Sequence, residues 1–330
     1  MPARAALTID PSFRFAWQAT ADLSRKQQLW ALYYVRLLQT GQARKLRAAM
    51  PAHLYRGMRH FLSDADWPAR PVVWRAAAEV LRAGFDVEWL ALRSASIPGG
   101  WTWLYLAAYD ERRGLPLDFA LVGPAGQNRP VEQYLPFQRA IFEAVPDELF
   151  RRAPLAVWGP VAEEAAERAR LAARGLAYSA KVRPGSARLG HVVLGRRAVS
   201  FDRVAALLKP GAEAHHDLTW RIEALPVRSP EGLTQTEAVF FLWQDHRLVS
   251  VALTNVEEAG HLRRMYDPSQ LRPLARPRAE LGWQRTRLRG AQAWEHHLAL
   301  NAVWIAHEPG RSAHTRTLGR AAGSPACGDP

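Results

Sequence analysis

The hydrophobic period of this chain first changes at Gly84, and that switch limits the fold more than any single motif does. Before it, apolar residues recur at helical spacing. Residues 24–40 place Leu29, Leu32, Tyr33 and Leu37 on one stripe, with Ser24 suited to cap the start and Gly41 to end it. A second helical stretch covers 43–60, with a break at Met50-Pro51, and a third covers 71–82. Beyond Gly84 the pattern becomes that of strands. Residues 85–92, 101–109 and 117–122 read as an antiparallel meander, turning at Pro98-Gly99-Gly100 and at Arg113-Gly114.

A helix over 131–144 and a short apolar strand over 154–158 follow. Residues 160–174 then form the clearest helix pattern in the chain. Pro160 opens it, Glu163, Glu164 and Glu167 lie early, arginines lie late, and Gly175 ends it. Those acids suit the positive end of a helix dipole. Residues 176–182 read as another strand. From 85 onward the order is three strands, helix, strand, helix, strand. This matches a ribonuclease H-like core, an α/β fold whose mixed sheet has three antiparallel strands and two parallel ones.

Residues 190–255 are mostly β in pattern, and 288–307 read as a long helix with Trp294, Leu298, Ala302 and Ile305 on one stripe. The expected domains are a helical N-terminal region over 1–84 and a core over 85–308. The core carries a β-rich insertion at about 190–255, before the last helix. The stretch 309–330, rich in Gly, Arg, Ser and Ala, is expected to be a disordered tail.

Composition narrows the function. With 48% hydrophobic and 23% charged residues the chain is expected to be globular, and no apolar run approaches the roughly 18 residues needed to span a bilayer. A membrane partner is therefore not expected. The lone cysteine, Cys327, allows no internal disulfide, and the opening residues lack a secretory pattern, so a cytoplasmic location is the expectation. The net charge of +13 points to a polyanionic partner, or to arginine spread over solvated faces.

Several stretches, in order, resemble the DDE transposases of bacterial insertion sequences. FLSDADW at 61–67 is similar to a helical-domain motif that precedes the catalytic core. The stretch 101–124 resembles the family's second and third strands. Trp158-Gly159, a helix and then Arg174-Gly175-Leu176-Ala177-Tyr178 resemble the segment around the second acid. RLVSVALTN at 247–255 and ELGWQRTRLRGAQAWEHHLALNAVW at 280–304 resemble the closing strand and helix. The likeness spans 61–304.

It implies three carboxylates holding two divalent cations, which activate a nucleophile and stabilise the leaving oxygen of a phosphodiester. The implied slots are not filled. Arg93 or Ser94 stands in the first and Leu155 in the second. Between Tyr266 and Gly282 the only acids, Asp267 and Glu280, sit at the ends, and Pro268, Pro273 and Pro277 interrupt a helix there. No catalytic residue and no metal ligand is assigned, and magnesium is expected only if the acids have moved. Asp110 and Glu111 read as turn charges, and Asp118 as an outward strand position.

The histidine pairs, His215-His216 and His296-His297, read as structural or solvent-facing. Neighbours on a helix diverge by about 100° and no zinc spacing is present. Gly185, Gly190 and Gly195 are too isolated for a nucleotide loop. The DNA-contact candidates are Arg285, Arg287 and Arg289, which alternate as a phosphate rail if extended, with Lys181 and Arg183 beside them. The expected function is DNA binding by a transposase-like protein that does not cut. The alternatives are an active transposase with relocated acids and a non-enzymatic interaction domain. DNA is the expected partner, and assembly as a homo-oligomer is left open.

Overall fold

The computed structural model describes residues 11–63, 66–97, 99–110, 114–123, 134–153, 155–157, 164–182, 190–208, 214–215, 218–228, 232, 234–255, 288 and 290–307. The chain forms two compact units. One contains residues 1–86, 110–117 and 277–330, and the other contains 87–109 and 118–276.

The first unit is mainly helical. It holds α1 (Pro11–Ala19), α2 (Arg25–Gln39), a 3₁₀ turn (Gln42–Lys45), α3 (Leu46–Ala49), α4 (Ala52–Ser63), α5 (Ala69–Arg82) and the closing helix α10 (Ala291–His307). Ser24 caps α2 in a capping box with Gln27, satisfying backbone donors that the first turn leaves open. Helix breaks before α4 because Met50 is extended ahead of Pro51, whose ring disfavours helical backbone in the preceding residue. The buried face of α2 includes Ala31, Leu32, Val35 and Leu38, while Leu29 is exposed. The stripe expected through Leu29 is therefore rotated, because Tyr34 and Leu38 turn inward instead.

Helix α10 packs against α1, α2, α4 and α5. Trp294, Leu298, Ala302 and Ile305 are all buried, as are His296, His297 and Asn301. A helix apolar nearly all round is a core helix, and its polar groups need partners. The Tyr34 hydroxyl lies 2.6 Å from His297 Nδ1, and burial raises that phenol's pKa. His296 has Nδ1 3.0 Å from the Leu62 carbonyl and Nε2 3.1 Å from the Trp67 carbonyl. Its ring stacks on Trp67 at 3.9 Å, and Trp67 stacks in turn on Phe61. The described part of FLSDADW is thus held by the core face of α10. Burial pushes the His296 imidazole below its ordinary pKa, outweighing the two carbonyls and Asp66, which pull it upward.

The second unit is a mixed α/β structure built on one large sheet, of which residues 114–117 of β3 are grouped with the first unit. Its strands are β1 (Trp89–Ile97), β2 (Trp101–Tyr109), β3 (Gly114–Val122), β4 (Leu155–Val157), β5 (Tyr178–Val182), β6 (His191–Leu194), β7 (Arg197–Val199), β8 (Ala214–His215), β9 (Leu218–Arg228), β10 (Thr234–Gln244) and β11 (Arg247–Thr254). The order is β3-β2-β1-β4-β5-β11-β10-β9-β6-β7, with β8 pairing off this path to β9. β1 and β2 are antiparallel, whereas β1, β4 and β5 are parallel. Parallel neighbours need crossovers. Helices α6 (Leu135–Ala144) and α7 (Asp147–Arg152) precede β4, and α8 (Ala165–Ala173) lies between β4 and β5.

The expected first strand is shifted. It begins at Trp89 rather than 85 and runs on to Ile97, so Arg93 and Ser94 lie within it rather than after it. Trp89 fixes this start by stacking on its cross-strand partner Tyr109 at 4.0 Å. The β-rich insertion joins the same sheet through antiparallel pairing of β11 with β5, and it also contains a helix, α9 (Phe201–Leu207). Phe201, Val204 and Ala205 of α9 pack on Val239, Phe241, Val251 and Leu253. Among the described residues no helix is long and apolar enough to cross a membrane.

A buried ion pair ties α8 to the insertion, with Arg168 Nη2 3.0 Å from Glu237 Oε1. Removing one partner leaves a buried charge, whereas replacing both by apolar groups does not. Arg168→Met alone is expected to lower stability by about 3 kcal/mol, and Arg168→Met with Glu237→Leu to recover most of it, measured by urea unfolding. His296 gives a pH prediction of defined sign. Its native pKa is lowered, so its contribution is fully present above about 6.5 and is lost as pH falls below that value. The urea midpoint should fall from pH 7 to 5, and His296→Gln should flatten part of that fall.

Candidate functional site

Strand register decides which of the singled-out residues meet. Across the parallel strands, Leu90 aligns with Leu155 and Leu92 with Val157, and Val157 aligns with Ala180. Successive side chains alternate between faces. Leu155 therefore shares a face with Leu90 and Leu92, and Arg93 points to the opposite face. Ser94 is on Leu155's face but four positions further along, about 13 Å at strand rise. Neither version of the first slot comes together with the second.

One step beyond Leu92 and Ala180, the same register puts Arg93 and Lys181 in one row and on one face. Position 158 lies outside the described residues. Two strand spacings separate their backbones, about 10 Å. On the opposite side of β5, Lys181 aligns with Ala252, and Arg93 aligns with Tyr105 across β2. The neighbours of Lys181 on this face are small: Ser179 and Ala252 are fully buried, and Ala91 is buried two strands away. Thr254 is satisfied by donating to the Tyr178 carbonyl at 2.8 Å. The Ser250 hydroxyl, also on this face, is buried with no hydrogen-bond partner among the described residues.

One sheet face presents Leu92, Val157, Leu253 and Val239, and part of it takes α9. The other presents Arg93, Lys181, Ser179, Ser250 and Thr254 together with buried Tyr105, Ala252 and Phe240. Arg93 is only 4% exposed, while Lys181 is half-buried. Burial lowers the Lys181 amine pKa, and the Arg93 cation lowers it further. No described residue offers Lys181 an ion pair or hydrogen bond.

The acids weighed as replacements do not gather here. Asp118 is buried rather than outward, which corrects its expected position. Its Oδ1 accepts from the Phe119 N–H at 2.8 Å, a local bond that lets a carboxylate sit inside a strand. Glu167 is buried against Arg139 and Arg170, so it is held by side chains as well as by its place in the first turn of α8. Among the described residues no group of three or more His, Cys, Asp or Glu side chains is placed to hold a metal ion. Arg183, Arg285, Arg287, Arg289, Glu111, Glu163, His216 and the interval from Tyr266 to Gly282 lie outside the described residues.

The Arg93–Lys181 pairing escaped sequence reasoning because 88 positions separate the two residues. Only the insertion of β4 between β1 and β5 brings them into one row. No family model matches the chain, and no curated protein matches it.

The repulsion between the two cations is measurable. Arg93→Met should raise the Lys181 pKa, so acylation of its amine at pH 8 should slow relative to Lys26 and Lys45. Per-residue mass spectrometry of briefly acylated protein reads this directly, since the chain's only other lysine is Lys209.

Proposed function

We propose that this chain is a DNA-binding protein descended from insertion-sequence DDE transposases, with a ribonuclease H-like sheet that no longer cuts DNA. One observation carries the reading. The order β3-β2-β1-β4-β5, with β1, β4 and β5 parallel, supports the arrangement that the resemblance implies, and Arg93 or Ser94, neither a carboxylate, stands where its first acid belongs.

A magnesium ion needs oxygen ligands, mainly carboxylates and water. Arg93 and Lys181 are cations and Leu155 is apolar, so these residues do not fit the metal, and no cutting step is derived through it. What remains is polyanion attraction. With a net charge of +13, arginine and lysine contacts to phosphates release counterions, which supplies affinity without sequence readout.

The test is a pair of assays on one preparation. Duplex DNA should bind in EDTA as well as in magnesium, and affinity should fall at least about tenfold between 50 and 200 mM salt. Strand cleavage should be absent with magnesium or manganese. No binding at low salt would remove the DNA reading, and metal-dependent nicking would replace it with that of an active enzyme.

A further inference from the structure

We propose that the groove between α1 and α2 binds a small amphiphile, an acyl chain ending in a carboxylate, with Arg36 taking the carboxylate. The inference is independent of the DNA-binding reading, which singles out none of these residues.

Helix periodicity builds the groove. On α2, Leu29, Leu32, Tyr33 and Arg36 fall on one side, because steps of three, four and seven residues nearly complete whole turns. The core takes the other side, through Ala31, Tyr34 and Leu38. Phe13 and Ala16 of α1 join the first set in lining a cavity of about 490 Å³. That volume falls within the roughly 300–1,000 Å³ of small-molecule sites. Ala16 and Leu32 are buried and close its floor, whereas Phe13 is 45% and Leu29 55% exposed. Two large apolar side chains open to water beside one cavity gain by being covered.

Charge identifies the head group. The two helices carry Arg14, Arg25, Lys26 and Arg36 and no carboxylate. In the turn between them, Asp22 is already paired with Arg75. Arg36 is the cation that lines the cavity, and it is exposed. Its guanidinium donates to the neutral Gln39 Oε1 at 3.2 Å and has no ion pair among the described residues. A cation in the last turn suits the helix dipole, but the dipole does not require it to border an apolar cavity. A guanidinium has five N–H donors and grips a carboxylate through two of them. A cavity lined by one cation suits a singly charged carboxylate better than a phosphate dianion. Leu29 lies seven residues before Arg36, about 10 Å along the helix, which sets the chain length that reaches the far rim.

The experiment uses the full chain, with decanoate and decylammonium as probes below their micellar concentrations and calorimetry as the readout. The wild type is expected to bind decanoate about tenfold more tightly than decylammonium. Arg36→Gln should erase most of that preference, and Arg36→Glu should reverse it. Leu29→Gln should weaken both probes several-fold. Both positions are exposed, so thermal unfolding without ligand should stay at the wild-type value.

Reversal of the preference in Arg36→Glu supports the site, since the charge of the rest of the chain cannot produce it. Equal decanoate affinity in wild type and Arg36→Gln marks binding by general surface charge and overturns it. Decanoate binding that emerges only on deletion of residues 1–10 gives the groove to the chain's own leading segment, and also overturns it. So does a concentration-dependent dimer that Leu29→Gln abolishes and decanoate leaves unchanged, because a second copy then covers the groove.

Discussion

The parallel seating of β4 between β1 and β5 is the constraint on which the sheet unit depends. Among the described residues β4 covers Leu155–Val157, pairs on both sides, and is the link between β1 and β5 in the sheet order. Leu155 and Val157 are buried, so the strand is held by apolar packing as well as by its ladder. A parallel strand in the middle of a sheet cannot be reached by a tight turn, which is why helices lie before and after it. The Asn255 side chain reinforces the far side. It accepts from the Tyr178 N–H and donates to the Leu176 carbonyl, latching the end of β11 to the start of β5.

This seating also sets the chemistry of the two faces. Alternation along each strand sends Leu92, Val157 and Leu253 one way, and Arg93, Lys181 and Thr254 the other. Burying an arginine within a strand is costly unless something offsets it. Arg93 is not without partners of its own, and it lies on the same face as Lys181. The buried pair Arg168–Glu237 contrasts with it, because there the opposite charges satisfy one another and join α8 to β10.

In the helical unit the corresponding organising element is α10. A helix that is buried on nearly every side must find partners for each polar group it carries. His296 meets two carbonyls that bracket the turn between α4 and α5, His297 meets Tyr34, and the Asn301 amide donates back to the His297 carbonyl. These bonds explain why adjacent histidines occur in a helix that forms no metal site among the described residues. Each ring is spent on a separate structural contact.

Much of the local structure was legible from the sequence alone. The cap at Ser24, the break at Met50-Pro51, strands β2 and β9, and the stripe on α10 all follow from periodicity and from residues whose backbone preferences are strong. Most of the succession of strands and helices from β1 to β5 was also readable, because period two and period 3.6 leave different marks, but the short helix α7 was not. Register was not. Whether Arg93 faces Leu155 or Lys181 turns on a single-residue slip, and nothing in the local sequence distinguishes the two alternatives. The start of β1 was misplaced for the same reason, since it is set by Trp89 meeting Tyr109 across the sheet. Local periodicity determined which elements form, while long-range pairing decided which side chains share a face, because only the folded backbone carries that distance information.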